Sequence, residues 1–139
     1  MNNSDTIFAL SSGHGKSGVA VIRISGDSLA TFAQKIIGRA TLTPRHAYFT
    51  NLTDDSGEII DQCVVIYFAA PHSFTGEDII EIHSHGAPAV INKIFEFLRA
   101  HNMRIATPGE FSRRAFYNGK MDLSDVDGLA ALLDRKSVV

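Results

Sequence analysis

Apolar and polar residues alternate along several short stretches of the chain, the pattern typical of strands that are buried on one side. In the clearest stretch Ile80, Ile82 and Ser84 share one side, and Glu81 lies on the other with Ile79, His83 and His85. The alternation predicts a strand there. Further strands are predicted at Thr6–Leu10, Val19–Ser25, His46–Thr53, Ile59–Ala70 and Met103–Ala106.

Other stretches have apolar residues at helical spacing. Asp27 is the expected cap of a first helix that ends at Gly38, and Pro88 is the expected first residue of a second. Thr107 and Glu110 have the spacing of a capping box, which predicts a third helix that ends near Asn118. The apolar positions of the first two helices are Leu29, Phe32, Ala33, Ile36, Ile91, Ile94, Phe95 and Leu98.

A last helix is predicted to begin at Ser124, and its apolar stripe has no obvious partner within the chain. We therefore expect residues 1–120 to form one domain and residues 121–139 to be the truncated start of a helical domain. The apolar positions of that last stripe are Val126, Leu129, Ala130 and Leu133.

Composition places the chain among ordinary globular proteins of one domain. It has 139 residues, 45% of them hydrophobic, and a net charge of −2, so no global positive field attracts nucleic acid. The single cysteine, Cys63, suits a reducing compartment. The polar start lacks a signal peptide, and the longest apolar run is too short to span a membrane. We expect a cytoplasmic location and no membrane contact.

Two isolated charges, Arg23 and Glu81, interrupt otherwise apolar strands. Burying either one costs several kcal/mol unless a partner compensates it. One interpretation is a salt bridge between neighbouring strands. The other is a ligand site, in which the carboxylate accepts two parallel N–H donors such as those of an aminopyrimidinone ring. The pattern of residues leaves both interpretations open.

Two motifs suggest further chemistry and are weak. Gly15-Lys16-Ser17 looks like the end of a phosphate-binding P-loop, but Leu10 occupies the position of the first glycine and a strand is predicted where a helix is needed. His83 and His85, with His14 and His72, lack a convincing third or fourth zinc ligand. We expect neither a P-loop nor a metal site in this chain.

Cations near the end of the third helix have an ordinary interpretation as surface residues. Arg113 and Arg114 suit the helix dipole and are expected at the surface. Lys120 follows the turn Asn118-Gly119 and belongs either to the surface or to a site.

Short blocks of sequence, taken in order and at their spacing, resemble the N-terminal domain of the bacterial MnmE (also called TrmE) family of tRNA-modification GTPases. The resemblance covers nearly the whole chain. Its blocks are Asp5-Thr6-Ile7, Arg23-Ile24-Ser25-Gly26, Ser73-Phe74-Thr75-Gly76-Glu77-Asp78, His85-Gly86, Pro108-Gly109-Glu110-Phe111-Ser112, Arg114-Ala115-Phe116 and Asn118-Gly119-Lys120-Met121-Asp122-Leu123.

The resemblance implies an α+β fold with a mixed, largely antiparallel β-sheet and helices packed on it, similar to tetrahydrofolate-binding aminomethyltransferase domains. It implies that residues 1–120 bind folate and form a homodimer. The family's folate contacts fall on Arg23, Glu81 and Lys120, so we expect a tetrahydrofolate derivative, 5-formyl- or 5,10-methylene-tetrahydrofolate, to bind there.

The resemblance also implies a parent protein that hydrolyses GTP and, with the flavoprotein MnmG, adds an aminomethyl-type group at C5 of the wobble uridine of certain tRNAs. GTP, magnesium and potassium would bind only in a GTPase domain that is absent from this chain. We therefore expect no catalytic residue here, and contact with tRNA only through the full complex.

Departures from the family pattern occur in two loops. The first loop has Ser12-Gly13-His14-Gly15-Lys16-Ser17 where the family usually has Pro-Pro-Gly-Arg-Gly-Gly, and Ala87 follows Gly86 where the family usually has a second glycine. The final Arg135–Val139 matches nothing expected at that position.

The alternative function is a free-standing folate-dependent one-carbon transferase, with Glu81 or His85 as the acid/base group.

Overall fold

The computed structural model describes residues 5–11 and 18–121, and six strands in this part of the chain form one sheet. Their spatial order is β3-β4-β5-β2-β1-β6. The strands are β1 Ile7–Leu10, β2 Val19–Gly26, β3 Ala47–Thr53, β4 Ile59–Phe68, β5 Asp78–His85 and β6 Arg104–Ile105. The helices are α1 Ala30–Ile37, α2 Pro88–Ala100 and α3 Glu110–Tyr117.

The sheet is mixed and largely antiparallel. Only the pairing of β1 with β6 is parallel among the described strands, and the other four pairings are antiparallel. The predicted α+β class is therefore confirmed. The similarity to aminomethyltransferase domains stays a prediction.

One face of the sheet packs against α1 and α2 and forms the core. The alternation in β5 predicted this face correctly, because Ile80 and Ile82 are fully buried on it, beside Ile22 of β2. Helix residues Ala33 and Ile94 are also fully buried in the same cluster. Since side chains alternate along a strand, Arg23 and Glu81 lie on the opposite face.

Two helix starts differ from the predictions. Asp27 does not cap α1; Leu29 occupies the N-cap position, and its backbone N–H donates to Asp78 Oδ2 at 2.9 Å. Helix α3 begins at Glu110, after Gly109 in the left-handed conformation, although Thr107 N–H does donate to Glu110 Oε1 as a capping box requires. Pro88 begins α2 as predicted.

Several predicted features lie outside the described residues. These are the first-loop motif Gly15-Lys16-Ser17, His14, the helix from Ser124 and nearly all of the second domain at 121–139. Of the helices described, none has the length and apolar character needed to cross a membrane.

Candidate functional site

Arg23 and Glu81 form an ion pair on the sheet face opposite α1 and α2. The two residues are direct cross-strand partners on β2 and β5. Arg23 Nη2 lies 3.1 Å from Glu81 Oε2, and Arg23 Nε lies 3.3 Å from the same oxygen. The exposed fractions of the two side chains are 28% and 16%, so the pair is neither fully buried nor free in water. The salt-bridge interpretation of the sequence is thus realised in the structure.

His83 is a third member of this arrangement. Its Nε2 lies 3.1 Å from Glu81 Oε1, the carboxylate oxygen that Arg23 does not use. We name Arg23, Glu81 and His83 the Glu81 cluster. A carboxylate has about four acceptor positions, and Arg23 and His83 use three of them, so Oε1 retains capacity for one further donor. The ion pair therefore does not exclude a ligand.

Phe74 lies beside the Glu81 cluster and was not identified from the sequence. Arg23 Cζ is 5.4 Å from the centre of the Phe74 ring, within the range of a cation–π interaction. The Phe74 side chain is nearly half exposed. An aromatic residue in the polar turn before β5 was the signal that could have indicated it.

A cleft of about 1250 Å³ borders Arg23 and Phe74. It lies between the end of β1, the start of α2 and the segment 105–112, and its lining includes the apolar side chains of Ile91, Phe95 and Phe111. Ligand pockets commonly measure about 300–1,000 Å³, so the cleft has room for a multi-ring molecule. Of the three residues predicted to bind folate, only Arg23 lines it.

Lys120 follows the end of α3. Its N–H donates to Ala115 O at 2.7 Å, and the N–H of Gly119 donates to Phe116 O at 3.1 Å. Together with the left-handed Gly119, these bonds make a Schellman motif, which fixes the backbone of Lys120 relative to the helix. The structure gives no direct contact between Lys120 and Arg23 or Glu81. The turn before β5 connects them, because Phe74 contacts Arg23 and Gly76 lies beside Lys120.

The prediction that Arg113 and Arg114 are surface cations is wrong, since their exposed fractions are 8% and 3%. Arg114 Nη1 lies 3.0 Å from Glu77 Oε1 and its Nη2 lies 3.3 Å from Glu110 Oε2. Arg113 Nη2 donates to Thr107 Oγ1 at 2.8 Å. The two guanidinium groups therefore anchor α3 through buried polar contacts.

Glu110 is the centre of this buried network, with an exposed fraction of 1%. Arg104 donates to both of its oxygens, at 2.9 and 2.7 Å, which is a bidentate pair. Burial alone would raise the pKa of Glu110, but the hydrogen bonds from Arg104 and from the Thr107 N–H outweigh it and lower the pKa to about 2. The carboxylate therefore stays ionised at neutral pH and ties α3 to β6.

His85 lies apart from the Glu81 cluster. Asp61 holds it through both the ring and the backbone, with Oδ1 2.8 Å from His85 Nδ1 and Oδ2 2.9 Å from His85 N. This arrangement orients the ring, and the side chain is largely exposed. Among the described residues, no three His, Cys, Asp or Glu side chains are grouped closely enough to hold a metal ion.

Comparison with known proteins gives consistent matches along the chain. The family model described as the N-terminus of the GTP-binding protein TrmE matches residues 6–120. The tRNA modification GTPase MnmE of Aromatoleum aromaticum is 47% identical over 135 residues, which are 97% of this chain and 30% of that protein. The protein of the same name from Anaplasma phagocytophilum is 50% identical over 135 residues, 96% of this chain and 30% of its own length.

A third relative, the tRNA modification GTPase MnmE of Wolbachia from Culex pipiens, is 49% identical over 136 residues, which are 98% of this chain and 30% of its own length. The chain thus spans about 30% of the length of the curated relatives that it matches. The matched residues 6–120 include the Glu81 cluster, the turn before β5 and Lys120. The chain belongs to the family of the N-terminus of the GTP-binding protein TrmE.

Proposed function

We propose that this chain is the folate-binding, dimerising N-terminal region of a tRNA-modification GTPase. The observation that supports the proposal most strongly is the Glu81 cluster itself. The partly buried carboxylate of Glu81 pairs with Arg23 on a sheet face, and Arg23 lines a cleft large enough for a folate. The names of the relatives, tRNA modification GTPase, supply the wider context.

In this proposal Glu81 binds the pterin ring. The ring presents two parallel N–H donors, and a carboxylate accepts such a pair with the strength and direction of charge-assisted hydrogen bonds. Arg23 pairs with one oxygen of this carboxylate, and His83 lies within hydrogen-bond distance of the other. The Phe74 ring offers a surface on which a flat heterocycle can stack.

The remainder of the folate would occupy the cleft and its rim. The apolar side chains of the cleft suit the aromatic ring that follows the pterin, and Lys120 suits the negatively charged glutamate tail. None of the ion pairs between described residues involves Lys120. When bound, a tetrahydrofolate derivative would supply a one-carbon unit.

The parent protein would then hydrolyse GTP in a separate domain that uses magnesium and potassium. With MnmG it would modify the wobble uridine of certain tRNAs at C5.

We propose that two copies pair through this domain. The edge strand β3 contains no charged residue, and its Phe49 is 74% exposed. Pairing of two copies along β3 would cover both the strand edge and this side chain. Sedimentation equilibrium at tens of micromolar should give a dimer, and a monomer would contradict this part of the proposal.

Calorimetric titration of the chain with 5-formyltetrahydrofolate tests the folate site. The substitution Glu81→Gln keeps the shape and removes the anionic acceptor. Because a hydrogen bond to a charged group contributes about 1.5–3 kcal/mol, affinity should fall roughly 10- to 100-fold. Glu96→Gln, on the exposed side of α2, is the matched control and should bind as the unchanged chain does. Equal affinity of Glu81→Gln and the control would show that the site is wrongly assigned.

A further inference from the structure

The turn at residues 73–77, which precedes β5, forms hydrogen bonds both to the end of α3 and to β2. We infer that Asn118 is a positioning residue that uses this turn to hold Lys120 in place for the folate site. The inference rests on the proposed function, since it concerns one of the three residues assigned to the ligand. Asn118 itself would not touch the ligand.

The first observation is a hydrogen bond across the two segments. Asn118 Nδ2 donates to Thr75 O at 2.7 Å. Thr75 is completely buried, and its Oγ1 lies 2.7 Å from Ser25 Oγ on β2. Ser25 lies two residues after Arg23 on the same face of that strand. A short chain of hydrogen bonds therefore joins the end of α3 to the strand of the Glu81 cluster.

The second observation is the close approach of the segments at Gly76. A Cβ atom on this glycine would lie 2.9 Å from Asn118 Cβ and 3.5 Å from Lys120 Cγ. The φ angle of Gly76 is +82°, which residues other than glycine rarely adopt. The turn thus packs directly against Asn118 and the stem of Lys120, with no room for a side chain between them.

The third observation concerns the backbone of Lys120. The Schellman motif fixes this backbone to the last turn of α3, and Asn118 fixes the same turn of the helix to Thr75. The backbone that carries the Lys120 side chain is thus held at two points. A cation held in this way loses less entropy when it binds an anionic ligand, which is the benefit of preorganisation.

Arg114 provides a second anchor one turn earlier, through its ion pair with Glu77. Loss of Asn118 alone should therefore loosen the segment after the helix without releasing the helix itself. This separation makes Asn118 suitable for a test, because its removal should affect Lys120 more than the fold.

The test is a double-mutant cycle measured by titration with 5-formyltetrahydrofolate. Asn118→Ala should weaken binding about 5- to 10-fold in the otherwise unchanged chain. In the Lys120→Ala background the same substitution should weaken binding less than about 2-fold, because the group that it positions is gone. Lys93→Ala, at an exposed position of α2 outside the cleft lining, is the control and should not change affinity. Equal losses in both backgrounds would overturn the inference.

Amide hydrogen exchange gives a readout that does not depend on folate. Asn118→Ala should speed exchange at Gly119 and Lys120 by about 10-fold or more, and leave Arg23 and Glu81 unchanged. Unchanged exchange at Gly119 and Lys120 would overturn the inference whatever the titration gives. If the unchanged chain binds no folate, the proposed function fails, and the exchange rates alone decide whether Asn118 fixes this segment.

Discussion

Arg23 directs both Nε and Nη2 at a single oxygen of Glu81, at 3.3 and 3.1 Å, and leaves the other oxygen to His83. A ligand that donates two N–H groups to Glu81 needs the remaining acceptor position and one that is now occupied, and loss of the His83 contact would leave the ion pair with Arg23 intact. The salt bridge and the ligand site, which the sequence presented as alternatives, are therefore compatible.

The strength of this pair can be measured by a double-mutant cycle on the free energy of unfolding. Arg23→Gln, Glu81→Gln and the double variant should give a coupling of about 1 kcal/mol, since the pair is partly exposed and its desolvation is incomplete. Urea unfolding followed by circular dichroism is the measurement. Lys93→Gln, on the exposed surface of α2, should change stability little. Strictly additive effects would contradict a coupled pair.

Lowering the pH should destabilise the domain, because Glu110 becomes protonated. Its pKa is lowered from 4.5 to about 2 in the folded chain, so its contribution is complete above about pH 4.5 and is lost as the pH falls toward 2. The shift corresponds to about 3 kcal/mol of stability at neutral pH. Glu110→Gln should lose about that amount at pH 7 and show a flatter pH profile between 4.5 and 2.

Urea unfolding at a series of pH values measures this profile. Glu96→Gln is the control, because its carboxylate lies on the exposed surface of α2. A pH profile of Glu110→Gln that is parallel to that of the unchanged chain would refute the role given to Glu110.

Gly76→Ala should destabilise the chain by about 1–3 kcal/mol. The substitution adds strain at a φ of +82° and places a methyl group 2.9 Å from Asn118 Cβ. Gly57→Ala separates the two effects, because Gly57 has a φ of +90° and a methyl group added there would meet no atom within 4 Å. Thermal unfolding of both variants is the measurement. Equal losses would mean that the contact with Asn118 adds nothing to the backbone strain.

We predict that the chain neither binds nor hydrolyses GTP, even with magnesium and potassium. A P-loop surrounds phosphate with backbone N–H groups at the start of a helix, whereas the segment after Gly15-Lys16-Ser17 is the strand β2. Isothermal titration with GTP should therefore give no saturable signal. Saturable, magnesium-dependent binding that disappears in Lys16→Ala would contradict this prediction.

Features that depend on neighbouring residues were predictable from the sequence. The alternation of apolar and polar residues in β5 identified the buried face, and Pro88 identified the start of α2. Both signals are local, because side chains alternate along any strand and the ring of proline fixes its own φ angle. The two isolated charges also indicated each other, since a lone charge on a strand face needs a partner nearby. Their direct opposition in register agrees with that reasoning.

Features that depend on distant partners were not predictable. The contact at the start of α1 was assigned to Asp27. Asp78 provides it instead, and Asp78 lies 49 residues from Leu29 in the sequence. Arg114 was assigned to the surface as a cation near the end of a helix, and its buried partner Glu77 lies 37 residues away in the sequence. The cleft escaped prediction for the same reason, since segments from β1, α2 and 105–112 meet only after folding.

The parallel pairing of β1 with β6 has a consequence for synthesis of the chain on the ribosome. Strand β1 lies between β2 and β6, and Ile7 pairs with Arg104. Because translation adds roughly 5–20 residues each second, the first strand waits on the order of 5–20 s for its second neighbour. Until then Ile7 and Phe8, which are fully buried in the finished sheet, remain accessible to chaperones and to other nascent chains.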